Sequence, residues 1–157
     1  MSSETYSFIT RWELDAPKEL VWSEISNCAN WPSWWPEVKA VELLAAGDQD
    51  EIGKTWRYKW QSPFFYKLSV TLCITDIQPL QSVSALATGD LEGTGEWQFS
   101  CHDTTTVAIC SWKVRTRIPW MNRMAFLLKP LFRYNHRLIM RSGLQGLKQA
   151  IEQREKT

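Results

Sequence analysis

The sequence lacks most of what a metal centre or a nucleophilic catalyst needs. It has only two histidines, His102 and His136, and neither stands in a recognisable ligand spacing. Its four cysteines, Cys28, Cys73, Cys101 and Cys110, are irregularly spaced and contain no CxxC pair. Free, mostly buried thiols are therefore expected, with no metal and no other cofactor. No Ser-His-Asp arrangement or glycine-rich phosphate loop is visible. No apolar run reaches the roughly 18 residues of a membrane span. The start, "MSSETYSFITRWELD", is polar, then alternating, and carries acids, unlike a signal peptide. The expected compartment is the cytoplasm. Repeats, low-complexity segments and linkers are also missing, so the expectation is one domain over residues 1–157.

Acidic residues are missing from one long stretch. Between Thr104 and Ile151 there is no Asp or Glu, while Lys113, Arg115, Arg117, Arg123, Lys129, Arg133, Arg137, Arg141 and Lys148 fall there. Net charge is nevertheless only +1. Either the two parts of the chain neutralise each other on folding, or the basic part meets an anionic partner. The low net charge and the absence of a recognition module argue against nucleic acid.

Tryptophan is abundant, with ten residues in 157. Asn30 to Val38, "NWPSWWPEV", holds three of them and two prolines. Neither an amphipathic helix nor an alternating strand has this pattern, and the prolines forbid a long helix across it. A stiff backbone loses less entropy when it holds large rings in place. The segment is expected to form a rigid plug or gate, with at least one of Trp31, Trp34 and Trp35 buried.

Element order follows from periodicity. Tyr6 to Leu14 alternates as a half-buried strand. "DAPKELVWSEIS" then starts a short helix, with Asp15 as the expected cap and Pro17 in the first turn. Strands are predicted near Val38–Ala45, Gly53–Gln61, Tyr66–Ile77, Ser82–Gly89, Leu91–Cys101 and Thr105–Thr116, the last two forming a hairpin at "HDTT". One long helical pattern runs from Pro119 to about Arg154. Pro130 predicts a kink or break at Lys129-Pro130. Gly143 and Gly146 weaken that helix, so a close approach to the sheet is expected there. This is an α+β order with an antiparallel sheet of six or seven strands.

Two stretches carry a family resemblance: "APKELVWSEISNCANWPSWWPEVKAVELL" and "PLFRYNHRLIMRSGLQGLKQAI". The chain resembles the START-like, or Bet v 1-like (SRPBCC), superfamily, and more narrowly its polyketide cyclase/dehydrase branch. The resemblance implies a helix-grip fold, in which a curved antiparallel sheet wraps a long C-terminal helix around a cavity, with two short helices after the first strand. It implies less about function, because the superfamily includes aromatases, lipid carriers and hormone binders.

Strand parity then selects the residues expected to face inward. They are Phe8, Trp12, Trp56, Tyr58, Trp60, Tyr66, Leu68, Val70, Leu72, Trp97, Phe99, Cys110 and Trp112, with Gly95 opposite Trp112 if the hairpin turns at Asp103-Thr104. Arg57 and Lys59 fall on the outward parity. Of the inward-facing residues, Trp56, Tyr58, Trp60, Tyr66, Leu72, Gly95, Trp97, Phe99 and Trp112, with Trp35 from the plug and Leu128, Phe132 and Asn135 from the helix, make up the expected ligand-binding set. Core packing alone also accounts for these rings, each contributing roughly 2–3 kcal/mol when buried. The catalytic candidates are Tyr58, Tyr66 and His136. Aromatases of the resembled branch are understood to use a cavity arginine, whereas the corresponding strand here presents Leu68, Val70, Leu72 and Ile74. The leading expectation is binding of a hydrophobic small molecule: a lipid, quinone or polyketide. The alternatives are a cyclase or dehydratase acting on a carrier-bound polyketone, and an adaptor on a membrane surface or protein. In that last role Arg123, Lys129, Arg133, Arg137 and Arg141 would meet anionic headgroups or an acidic carrier.

Overall fold

The computed structural model describes residues 5–62 and 67–155. The chain runs β1 (Thr5–Leu14), α1 (Lys18–Ser26), a 3-10 helix (Cys28–Ser33), β2 (Val38–Ala45), β3 (Thr55–Gln61), β4 (Lys67–Gln78), β5 (Ser82–Gly89), β6 (Leu91–His102), β7 (Thr105–Thr116), α2 (Pro119–Arg123) and α3 (Ala125–Glu155). All seven strands form one antiparallel sheet in the order β1-β7-β6-β5-β4-β3-β2. The expected β6–β7 register holds, with Gly95 opposite Trp112 and Trp97 opposite Cys110. Alternation decides the inner face: Tyr6, Trp12 and Leu14 are buried, while Ser7, Arg11 and Glu13 are exposed.

Three local expectations are corrected. Asp15 does not cap α1. The helix starts after an extended Pro17 with no side-chain cap, and Asp15 Oδ1 instead accepts a hydrogen bond from Thr105 Oγ1 at 3.0 Å. The break expected at Lys129-Pro130 is absent, and α3 runs through Pro130. Pro130 lies in the second turn of α3, so it forfeits one backbone bond near a helix end, to the carbonyl of exposed Phe126, where the loss is smallest. The interruption falls earlier, at Met124 between α2 and α3. Third, Gly143 and Gly146 admit the tryptophan segment rather than the sheet. A Cβ on Gly143 would lie 2.5 Å from the Trp35 ring, and one on Gly146 only 1.6 Å from the Trp34 carbonyl oxygen.

Trp31, Trp34 and Trp35 are all buried, as the plug expectation requires. Trp31 Nε1 donates to the Ile25 carbonyl at 3.0 Å, tying the segment to α1, and Trp35 Nε1 donates to the Ile139 carbonyl at 2.9 Å, tying it to α3. Trp35 also packs within 5.5 Å of Trp12, Trp31, Trp34 and Trp60, measured between ring centroids. At the far end of α3, Arg154 pairs with the fully buried Glu24 of α1.

Gly146→Ala tests the clamp by the sign of its effect. On an unobstructed helix the change would stabilise by about 1 kcal/mol. Here the methyl meets a backbone carbonyl, so a loss of roughly 3 kcal/mol is expected in urea denaturation. A stabilised variant would show that α3 and Trp34 do not touch as described.

Candidate ligand-binding cavity

Between the sheet and the N-terminal half of α3 lies an apolar cavity of about 170 Å³. Its walls come from the first half of β1 (Tyr6, Phe8), the start of β4 (Leu68, Val70, Leu72), the end of β7 (Cys110, Trp112, Val114, Thr116), Trp60 of β3 and Ser62 just after it, with Leu91 and Trp97 of β6. Met121 of α2 and Phe132, His136, Ile139 and Met140 of α3 cover it. Trp31 and Trp35 close one end, and α2 stands at the other. No Asp, Glu, Lys or Arg is among these residues.

Of the expected ligand-binding set, Trp35, Trp60, Leu72, Trp97, Trp112 and Phe132 line the cavity. Gly95 lies just behind it, with an added Cβ only 2.6 Å from the Trp112 ring. Trp56, Tyr58, Phe99, Leu128 and Asn135 do not line it. Trp56 sits half-buried beneath the Lys54 ammonium, 5.3 Å from the ring centroid. Phe99 packs edge-on against Trp22 at 5.1 Å, and Leu128 packs with Tyr6, Met121 and Phe132. Tyr66 lies outside the described residues. The hollow occupies only part of the sheet's inner face, because α1 and the tryptophan segment fill the rest. Parity gives the face on which a side chain lies and says nothing of its position along that face. Among the lining residues outside the expected set are Trp31, Met121, Ile139 and Met140. Ile139 follows Phe132 by seven residues and was findable on helical period, whereas α2 left no periodic signal.

Burial drives the polar groups of this region towards neutrality. Tyr58 donates its hydroxyl to Cys28, and neither residue lines the cavity; burial raises the Tyr58 pKa well above the usual 10, with a smaller push from the Cys28 charge. It is no acid for a ligand in this space. Burial pushes the Cys110 thiol up to about 12 and Cys28 to about 11, the latter partly offset by the Tyr58 hydrogen bond. Neither thiol is a nucleophile at neutral pH. His136 is lowered to about 4, again by burial, and its ring stacks on Phe8 at 4.0 Å. It stands in the wall as a neutral imidazole with one donor and one acceptor. Thr116 is already engaged: its Oγ1 accepts from Ile118 N–H at 3.1 Å and donates to Met121 Sδ at 3.8 Å. Asn135, fully buried, has no partner for either amide atom among the described residues.

A seven-stranded curved antiparallel sheet gripping a long C-terminal helix is the helix-grip architecture of START-like domains. The chain belongs to the family described as polyketide cyclase / dehydrase and lipid transport, whose model matches residues 7–152. No curated protein matches it in sequence. Three solved structures share the fold. An aromatase/cyclase, Zhui, from Streptomyces sp. R1128 is 15% identical with a TM-score of 0.75, each chain covered to 96%. A START superfamily protein from Mycobacterium smegmatis is 15% identical with a TM-score of 0.74, covering 94% of this chain and 97% of that one. A conserved protein from Geobacillus kaustophilus is 15% identical with a TM-score of 0.76, covering 94% and 96%. Among the described residues no helix is long and apolar enough to cross a membrane.

Two outcomes are expected. Well above pH 6.5 His136 is neutral whether the chain is folded or not. As pH falls towards 4, the unfolded chain takes up a proton that the folded chain refuses. Stability should then drop by roughly 3 kcal/mol relative to His136→Phe, which keeps the Phe8 stack, and level off below pH 4. Urea denaturation of both proteins across this range measures it; parallel profiles would place the imidazole in water. Asn135→Leu removes a buried unpartnered amide at near-constant volume, and should raise stability by about 1–3 kcal/mol in the same assay.

Proposed function

We propose that the protein binds a hydrophobic small molecule in this cavity: a lipid, quinone or polyketide-like compound presenting a ring or apolar end. The observation that carries this reading is a hollow walled by aromatic and aliphatic side chains, free of charged groups among the described residues, with the neutral His136 imidazole in its wall. Such a wall selects a flat apolar body with one or two polar substituents. Size sets a limit. An apolar protein cavity of about 150 Å³ holds a benzene ring. The 170 Å³ here therefore accommodates one ring, and the rest of a larger ligand runs out towards α2. The family supports the ligand class, since its description spans both polyketide chemistry and lipid transport.

A cyclase or dehydratase is the second reading. It is favoured by one feature, a neutral histidine in the wall that can take a proton from a bound polyketone. Steady conversion of a polyketone by the wild type, lost in His136→Phe, would establish it.

Isothermal titration with p-cresol tests the binding reading, beside native mass spectrometry for a co-purifying apolar molecule. Binding is expected in the wild type. In Gly95→Ala the new methyl forces the Trp112 ring into the hollow, so affinity should fall about tenfold or more while stability falls by only about 1–3 kcal/mol. Unchanged affinity in that variant would put the ligand elsewhere. Failure of both p-cresol and any co-purifying molecule to bind would sink the proposal.

A further inference from the structure

The end of the molecule that carries α2 exposes large apolar side chains. Trp120 is 49% exposed, Met124 44%, Phe126 78% and Leu127 61%. They lie within eight consecutive residues, on the solvent side of α2 and of the first turn of α3. Packing does not require them there: Met121 of the same short helix is buried against the cavity, and Phe132 of α3 covers it. The exposed four face away from that core.

Charge surrounds them with one sign. Arg123, Arg133 and Arg137 are exposed and join no salt bridge among the described residues. On a 3.6-residue helix, Phe126, Arg133 and Arg137 fall on one stripe, with Leu127 and Tyr134 on the stripe beside it. Lys129 lies over the Tyr6 ring at 5.9 Å. Glu92 of β6 is held by Arg115 at 3.0 Å and Arg117 at 2.7 Å. No carboxylate occurs between Thr104 and Ile151 to oppose the cluster.

From this we infer that the α2 end docks on an anionic lipid surface, with Trp120, Met124, Phe126 and Leu127 among the acyl chains and Arg123, Arg133 and Arg137 at the headgroups. Protruding Trp, Phe and Leu flanked by arginine is the composition of an interfacial helix. An acidic protein would be met by the arginines alone and gives no reason for four projecting apolar side chains. A second copy would bring like charge against like charge at this face. The same end also closes the cavity, because Met121 is both the inner side of α2 and part of the wall. Resting on the ligand-binding reading, the surface then serves exchange: an apolar ligand passes between bilayer and cavity without crossing water.

Vesicle co-sedimentation of the whole chain tests docking independently of the cavity. Binding should be about tenfold or more tighter to phosphatidylcholine vesicles containing about 30 mol % phosphatidylglycerol than to pure phosphatidylcholine. It should weaken in about 0.5 M salt, where screening shortens to a few ångströms. Phe126→Ser with Leu127→Ser, at exposed positions, should lose this binding while keeping the p-cresol affinity and thermal midpoint of the wild type. Arg133→Glu with Arg137→Glu should abolish the preference for the anionic vesicles. Equal binding to both vesicle types, binding to neither, or binding retained in the serine variant would overturn the inference. So would a wild-type dimer in sedimentation velocity that the serine variant converts to monomer without any vesicle binding, which would assign the face to a second copy. Vesicle binding without p-cresol binding would keep the docking and remove the exchange, and the reverse would spare the cavity and remove the docking.

Discussion

One indole seated in a notch of α3 holds the molecule in register. Trp35 donates to the Ile139 carbonyl and lies against Gly143, where a methyl would be 2.5 Å from the ring. Four residues separate these two positions, so they face the same side of the helix, one turn apart. The same ring touches Trp12 of β1 and Trp60 of β3, near opposite edges of the sheet. A single side chain thereby ties the helix to both flanks of the sheet. Where it sits, the space between the layers is full; where it ends, the cavity begins. The hollow is thus bounded by the tryptophan segment as much as by the strands.

The chemistry of the cavity follows from the same packing. Among the described residues no charged side chain lines the cavity, and the groups in its wall that could ionise are pushed towards their neutral forms: the Cys110 thiol upwards, the His136 imidazole downwards. A low-dielectric wall that disfavours charge discriminates by shape and by a few hydrogen bonds. It has little with which to stabilise a developing oxyanion or to hold a metal. Among the described residues no group of His, Cys, Asp and Glu is placed to bind one.

Much of this was legible in the sequence, for reasons that differ by element. Period-two alternation is a local property, so the strands, their inward faces and the Gly95–Trp112 pairing came through. The burial of the tryptophan segment was legible because rings on a proline-stiffened chain have few other uses. What failed needed tertiary information. Asp15 carries a capping side chain, yet its partner is Thr105, some ninety residues away. Pro130 is a helix breaker by type, and only its place near the start of α3 makes it tolerable. Gly143 and Gly146 signalled a close approach without saying to what. Tyr58 and Phe99 have the inward parity of Trp60 and Trp97, yet lie where the core is solid.

The sheet is closed by the pairing of β1 with β7, which sets Leu14 against Thr106 and Thr5 against Arg115. Every other strand pair joins neighbours in the chain, so among the strand pairs this one alone brings together residues roughly a hundred positions apart. Closing a loop of that length costs roughly 4 kcal/mol of chain entropy before any contact repays it. The meander from β2 to β7 can therefore assemble early, while β1 docks late and leaves the β7 edge open in the interval. Such non-local pairing slows folding relative to a topology built of local contacts. Until β1 arrives, β7 presents unpaired backbone along Thr105–Thr116, the natural point at which two half-folded chains would stick together.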